Sequence, residues 1–142
     1  MQRKKSITLI WISRILIGAV AFSNLLAAFQ FMLRPTLYAP GFELQGESGT
    51  AVIQGMGLLF LMWNVPYFVA LLHPVKYYVS VIEAVAMQAI GVIGESVLLF
   101  MLQGDHLHLR TSVIRFIFFD GGGLVLLLAA FGCVWWMRRR DQ

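Results

Sequence analysis

Charged residues are scarce in this 142-residue chain. Asp, Glu, Lys and Arg make up 13% of it, against roughly 25% in a typical soluble domain. Apolar residues make up 59%, and the mean hydropathy is +0.77. A soluble domain of this size leaves too much surface exposed to hide so many apolar side chains. The composition therefore excludes a soluble enzyme and a disordered chain, and it indicates a membrane protein.

Residues that carry redox or metal chemistry are also rare. The single cysteine, Cys133, excludes an internal disulfide and a CxxC redox pair. His106 and His108 share a short loop with Asp105, but their two-residue spacing is a poor zinc signature. Ser96 follows Glu95 with no histidine at the same depth, which argues against a hydrolase. We predict no catalytic residues, no metal ion and no cofactor.

The excess of positive charge lies at the two ends of the chain. The net charge is +4, and basic runs at residues 3–5 and 138–140 flank apolar stretches. Such flanks are typical of membrane spans. Nucleic-acid binding needs a basic face on a folded module instead. We therefore predict the lipid bilayer, and no nucleic acid, as a partner.

Four apolar windows are long enough to cross a bilayer, which takes roughly 20 helical residues. The predicted fold class is all-α, a single domain over residues 1–142 that forms a four-helix transmembrane bundle. The longest connection, residues 34–49, is predicted to fold back over the mouth of the bundle. The four windows cover residues 7–33, 50–72, 77–102 and 111–137.

The distribution of charge predicts the orientation of these spans. An even number of spans puts both termini on one side of the membrane, and most lysines and arginines fall on that side. Glu43, Glu47 and Asp105 fall in loops on the other side. Because cytoplasmic flanks carry the excess of Lys and Arg, we predict cytoplasmic termini and a location in the plasma or inner membrane.

Ionisable residues inside a span cost roughly 2.5–3.5 kcal/mol each on insertion scales, so each needs an inward-facing partner. Arg14 of the first span and Glu83 of the third share a depth near the termini and have opposite charges. We predict a structural ion pair between them, with a functional pair as the alternative.

A second polar group lies in the other half of the bundle. Glu95, Arg115 and Asp120 have similar depths at a rise of about 1.5 Å per residue. Arg115 and Asp120 differ by about 140° around the fourth span, so one should meet Glu95 and the other a different span or the loop. We predict a polar pocket that opens towards the long loop. The alternative is a satisfied network that only holds the bundle together. The glutamines expected to join the pocket are Gln30, Gln54 and Gln88.

The predicted occupant of this pocket is a small amphipathic or lipid-like molecule. Glu95 and Asp120 would meet its polar or cationic end, and Arg115 would set their charge. Gln54 and Gln88 would donate hydrogen bonds. The alternatives are a non-catalytic accessory or scaffold subunit of a membrane complex, a homo-oligomer and a small transporter. An enzyme is less favoured, because no nucleophile–base pair is evident.

The first span reads ISRILIGAVAFSNLLAAFQF, with Arg14 and Gly18 near its start. A proline-containing loop and a glycine-rich second span follow. This arrangement resembles the DoxX-like family of small bacterial four-span membrane proteins. Some members are linked to the oxidation of quinones or sulfur compounds, and many have no known activity. The resemblance therefore implies a four-span plan rather than a particular reaction.

Overall fold

The computed structural model describes residues 2–140, and it describes side chains from residue 6 to residue 140. The basic side chains at residues 3–5 thus lie outside the described part. Every regular element within residues 2–140 is helical. The elements are α1 (Gln2–Leu33), α2 (Pro35–Tyr38), a 3₁₀ helix (Ala39–Phe42), α3 (Gly46–Leu72), α4 (Tyr78–Met101) and α5 (Leu107–Arg140).

The prediction of four apolar spans is confirmed. α1, from Ser6 onwards, and α3, α4 and α5 are each long and apolar enough to cross a membrane. Several helices continue past their predicted windows; α3 begins at Gly46 and not at residue 50. The 34 residues of α5 extend about 51 Å, well beyond a hydrocarbon core about 30 Å thick. The apolar window marks the hydrocarbon layer, whereas the backbone stays helical into the interface.

The bundle has two different ends. We call the end with residues 34–45 and 102–106 the loop end. The other, the tail end, holds residues 2 and 140, the two ends of the described chain, and the connection 73–77. Around the bundle the order of the long helices is α1, α3, α4, α5, since each contacts its neighbours in that order. α1 and α4 lie at opposite corners, and no Cα atom of one comes within 8 Å of a Cα atom of the other in the described chain.

This arrangement shows that the predicted ion pair between Arg14 and Glu83 is wrong. The two residues lie on α1 and α4, the helices at opposite corners. Arg14 instead places its guanidinium carbon 4.6 Å from the ring centroid of Trp11. Glu83 is exposed beside a groove between α3 and α4. Equal depth and opposite charge do not show which helices are neighbours.

The α1–α3 interface is close because α3 presents a glycine to it. A Cβ atom at Gly57 would lie 2.7 Å from Met32 Cγ and 2.8 Å from the backbone oxygen of Ala28. At Gly55, two residues away, a Cβ atom would meet nothing within 4 Å. Spans in lipid associate through such close packing, because hydrocarbon provides no hydrophobic drive between them.

The segment 34–45 lies across the loop end as two short helical turns. Its Glu43 carboxylate is 2.6 Å from His106 Nδ1 and accepts a longer hydrogen bond, 3.4 Å, from the backbone N–H of Leu109. The hydrogen bond with His106 is the main cause that lowers the pKa of Glu43 below its ordinary value. The Ser112 hydroxyl also donates to the oxygen of Gly41 at 2.6 Å. These contacts attach the segment to the start of α5.

Candidate functional site

A cavity of about 240 Å³ lies between α3, α4 and α5 in the half of the bundle nearer the loop end. We call it the acid cavity. Its wall is mostly aromatic and aliphatic, and a few polar side chains reach it. The lining residues are Asn24, Phe42, Met56, Leu59, Phe60, Trp63, Gln88, Gly91, Glu95, Leu98, Val113, Phe116 and Asp120.

Two carboxyl groups meet at this cavity. Glu95 on α4 and Asp120 on α5 both line it, and their carboxyl groups are neighbours. Asp120 is only 6% exposed. It fits there because α4 has glycine at position 91: a Cβ atom would lie 2.5 Å from Asp120 Oδ2. Neither acid has a salt-bridge partner among the described side chains, so the pair lacks a compensating positive charge.

A chain of hydrogen bonds holds Asp120 in place. The Gln88 amide donates to Asp120 Oδ1 at 2.9 Å and to its backbone oxygen at 3.2 Å. The amide oxygen of Gln88 accepts from the Tyr67 hydroxyl at 2.6 Å. The Trp63 indole donates in turn to the Tyr67 oxygen at 3.2 Å. Gln88 also needs Gly123, where a Cβ atom would lie 2.8 Å from its amide nitrogen. The chain joins α3, α4 and α5.

Two buried oxygens at the acid cavity have no hydrogen-bond partner within the described part of the chain. They are Asn24 Oδ1, from a side chain only 2% exposed, and Glu95 Oε2. A third such oxygen, on Asn64, belongs to a residue outside the cavity lining. A buried polar group left without a partner costs about 1–3 kcal/mol. A ligand that donates hydrogen bonds in this cavity would remove that cost.

The structure divides the predicted pocket. Gln88, Glu95 and Asp120 line the acid cavity, and Asp120 is the member of α5 that meets Glu95. Gln54 lies apart from them: it is exposed and donates to the Met32 oxygen at 3.3 Å. The angle between Arg115 and Asp120 on α5 correctly predicted that only one of them meets Glu95. It did not predict that the space between the helices forms two cavities.

Arg115 and Gln30 line a second cavity of about 380 Å³, between α1, α5 and the segment 34–45. Arg115 forms no salt bridge with either acid and does not line their cavity, so the prediction that it sets their charge is wrong. The rings of Phe42 and Phe116 line both cavities and separate them. One predicted pocket is thus two cavities of different chemistry.

Three residues of the site were missed from the sequence: Asn24, Trp63 and Tyr67. Trp63 and Tyr67 are four residues apart on α3, a spacing that places two side chains on one helix face. That spacing, with a hydroxyl and an indole N–H on an otherwise apolar span, was the available signal. Asn24 follows Ser23 in an otherwise apolar stretch of α1, and its amide side chain was the only sign of a role in the site.

Comparison of the chain with protein-family models, curated proteins and solved structures gives no match. Function must therefore be argued from the site and not from the fold. Chemically, the acid cavity offers two carboxyl groups and the Asn24 oxygen, all acceptors when the acids are ionised. It also offers apolar surface for a hydrocarbon group.

Proposed function

We propose that the protein binds a small amphipathic molecule in the acid cavity, with the polar end at Glu95 and Asp120. A single observation carries this proposal: two carboxyl groups meet in a largely apolar cavity without a cationic side chain to balance them. Intramembrane acids generally have partners, because an isolated charge in hydrocarbon is costly. A protonated amine suits this place best, since it brings a positive charge and donates hydrogen bonds.

The walls of the cavity support the same kind of ligand. The rings of Phe60, Trp63 and Phe116 line it, and aromatic faces attract cations as well as apolar groups. Its volume of about 240 Å³ is below the roughly 300 Å³ at which pockets for drug-sized ligands begin. The cavity therefore suits a small molecule, or the head and first carbons of a longer one.

The arrangement of α3 and α4 provides a place for the rest of such a chain. The buried residues of α4, Val81, Ala84 and Gln88, all lie in its first half. Leu59, at the middle of α3, and Leu98, near the loop end of α4, line the cavity but are 59% and 49% exposed. We infer that a hydrocarbon tail leaves the cavity between these two leucines, towards the lipid.

Binding of decylamine to the protein in nanodiscs tests the proposal, with decanol as the uncharged comparison. We expect Glu95→Gln and Asp120→Asn each to weaken decylamine binding about tenfold or more, the effect of losing one charge-assisted hydrogen bond. Glu83→Gln is the matched control, because Glu83 is an exposed acid of α4 outside the cavity. It should bind like the unmodified protein.

Three results would overturn the proposal. In the first, Glu83→Gln weakens binding as much as Glu95→Gln, so that the effect follows overall charge. In the second, decanol binds as tightly as decylamine and the acid variants change nothing. In the third, Glu95→Gln and Asp120→Asn unfold, as seen by circular dichroism, while Glu83→Gln stays folded. The acid pair would then be a structural network.

We also propose that both termini are cytoplasmic and that the membrane is the plasma or inner membrane. Arg14 and Lys76 lie towards the tail end and contact aromatic rings, as do the arginines at 138–140. Glu43 and Asp105 lie at the loop end. The positive-inside rule supports this orientation. Green fluorescent protein fused after residue 142 should then fluoresce, whereas alkaline phosphatase at the same place should be inactive.

The scaffold, oligomer, transporter and DoxX-like interpretations stay predictions. Each concerns partners, transport or ancestry. The contacts within the described chain do not favour any of them over ligand binding.

A further inference from the structure

The second cavity, of about 380 Å³, is lined by two exposed side chains, Arg115 and Gln30, whose hydrogen-bond donors have no acceptor among the described residues. We call it the arginine cavity. The Arg115 guanidinium makes no hydrogen bond, ion pair or ring contact with the part of the chain that is described. The Gln30 side chain uses its oxygen to accept from the Tyr38 hydroxyl at 2.9 Å, which leaves its NH₂ group free to donate. All three residues line the cavity.

Among the described residues, none that lines the arginine cavity is acidic. The nearest acid in the covering segment, Glu43, is already engaged with His106. The positive charge of Arg115 is therefore unbalanced by any described side chain. Arginine presents a planar set of donors that matches the oxygens of a phosphate or carboxylate. The free groups thus select an anion, the opposite of what the acid cavity selects.

The depth of Arg115 identifies the level of the membrane at which this anion lies. Trp135 stacks under Arg139 at 3.9 Å near the tail end, as is typical of residues at a membrane interface. Arg115 stands twenty residues earlier on the same helix, about 30 Å away. That distance is about the thickness of the hydrocarbon core. Arg115 is therefore at the opposite interface, where lipid phosphates lie.

The remaining wall is mostly apolar, with Ser112 as a further polar residue. Phe31 and Phe119 line the cavity, and so does Leu37, which is largely exposed. An anion bound beside exposed apolar side chains is best supplied by an amphiphile, whose hydrocarbon part can cover those side chains. We propose that the arginine cavity binds the phosphate of an anionic lipid headgroup, with Arg115 gripping the phosphate oxygens and Gln30 donating a further hydrogen bond. The case for this site does not rest on ligand binding in the acid cavity.

Retention of phosphatidylglycerol by the purified protein, measured by native mass spectrometry from mixed micelles, tests this site. Arg115→Gln should lower retention about tenfold, as expected for the loss of a charge-assisted contact. Retention by Arg115→Lys should lie between that of the unmodified protein and that of Arg115→Gln, because an ammonium group keeps the charge but cannot contact two phosphate oxygens as a guanidinium does. Arg110→Gln is the control: Arg110 is an exposed arginine of α5 that already donates to the Leu102 oxygen at 3.1 Å. It should change retention less than twofold.

A competition experiment separates the two sources of a phosphate. If millimolar inorganic phosphate leaves phosphatidylglycerol in place, the lipid headgroup is the ligand. If inorganic phosphate displaces the lipid in an Arg115-dependent manner, the site is still a phosphate site, with a soluble source. Equal losses in Arg110→Gln and Arg115→Gln would overturn the site, because binding would then follow total charge.

A second variant covers the case in which Arg115→Gln does not fold. Gln30→Glu keeps the arginine and places a carboxylate in the same cavity, where it opposes a bound phosphate. We expect it to lower phosphatidylglycerol retention as well. A folded Gln30→Glu protein that retains the lipid normally would overturn the proposal.

Discussion

Replacing Gly91 by alanine is expected to destabilise the protein, whereas the same change at Gly94, three residues further along α4, is not. A Cβ atom at position 91 would lie 2.5 Å from Asp120 Oδ2 and 3.4 Å from its Cγ. At position 94 it would meet nothing within 4 Å. Both changes are glycine to alanine in one helix. The difference in helix propensity, about 1 kcal/mol in favour of alanine, therefore cancels in the comparison.

The size of the effect follows from how little room Asp120 has. An ordinary contact would need the Asp120 oxygen to retreat by about 0.9 Å, from 2.5 Å to 3.4 Å. Asp120 is 6% exposed, and Gln88 holds its other oxygen at 2.9 Å. Inserting a methyl group into such packing costs about 1–3 kcal/mol. We expect the unfolding free energy of Gly91→Ala to be lower than that of Gly94→Ala by this amount.

Titration with dodecyl sulfate in mixed micelles, followed by circular dichroism, measures both unfolding free energies. The Gly91 variant should also bind decylamine more weakly, because its carboxyl group has moved. The close contact between Gly91 and Asp120 would be refuted if the two unfolding free energies agreed within about 0.5 kcal/mol, which is the range of neutral surface substitutions.

Three further predictions concern the fold around the site. In the same titration, Gly57→Ala should have an unfolding free energy about 1–3 kcal/mol lower than that of Gly55→Ala. The reason is that a Cβ atom at position 57 would lie 2.8 Å from a backbone oxygen of α1. Equal unfolding free energies would contradict that contact. Tyr67→Phe should lower the unfolding free energy by about 1–3 kcal/mol, because it leaves the buried amide oxygen of Gln88 without its donor. An unchanged unfolding free energy would contradict the hydrogen bond between Tyr67 and Gln88. The pKa of Glu43 is lower in the folded protein than its ordinary value of 4.5. Its contact with His106 therefore stabilises the fold above pH 4.5, and the protein loses this stabilisation as the pH falls through the pKa of folded Glu43. Glu43→Gln should therefore flatten the pH dependence of thermal unfolding below pH 4.5; an unchanged profile would argue against this role of Glu43.

The helices were predictable because hydrocarbon imposes a simple rule on the backbone. Each span must satisfy its N–H and C=O groups internally, so an apolar run of sufficient length is a helix. The ends of α5 were harder to predict. At the interface, water can also form hydrogen bonds with the backbone, so apolar composition no longer indicates where the helix ends. The segment 34–45 was predicted to fold back over the bundle. Its two short helical turns were not predicted, because each is too short to show a helical pattern of apolar residues.

The pairs between helices were only partly predictable. Depth along each span brought Glu95 and Asp120 to one level, and they do meet. The same reasoning failed for Arg14 and Glu83, because depth carries no information on which helices are neighbours. The three consecutive glycines of α5 show the same limit: only Gly123 has a close neighbour where a Cβ atom would be, and that neighbour lies on α4.

The wall formed by Phe42 and Phe116 has a thermodynamic consequence. Their ring centroids are 5.8 Å apart, and each ring faces two spaces of opposite electrical character. A molecule that pushes either ring aside to enter one space changes the room left in the other. Such a linkage is reciprocal, so whatever factor an amine imposes on the affinity for a phosphate, the phosphate imposes on the affinity for the amine.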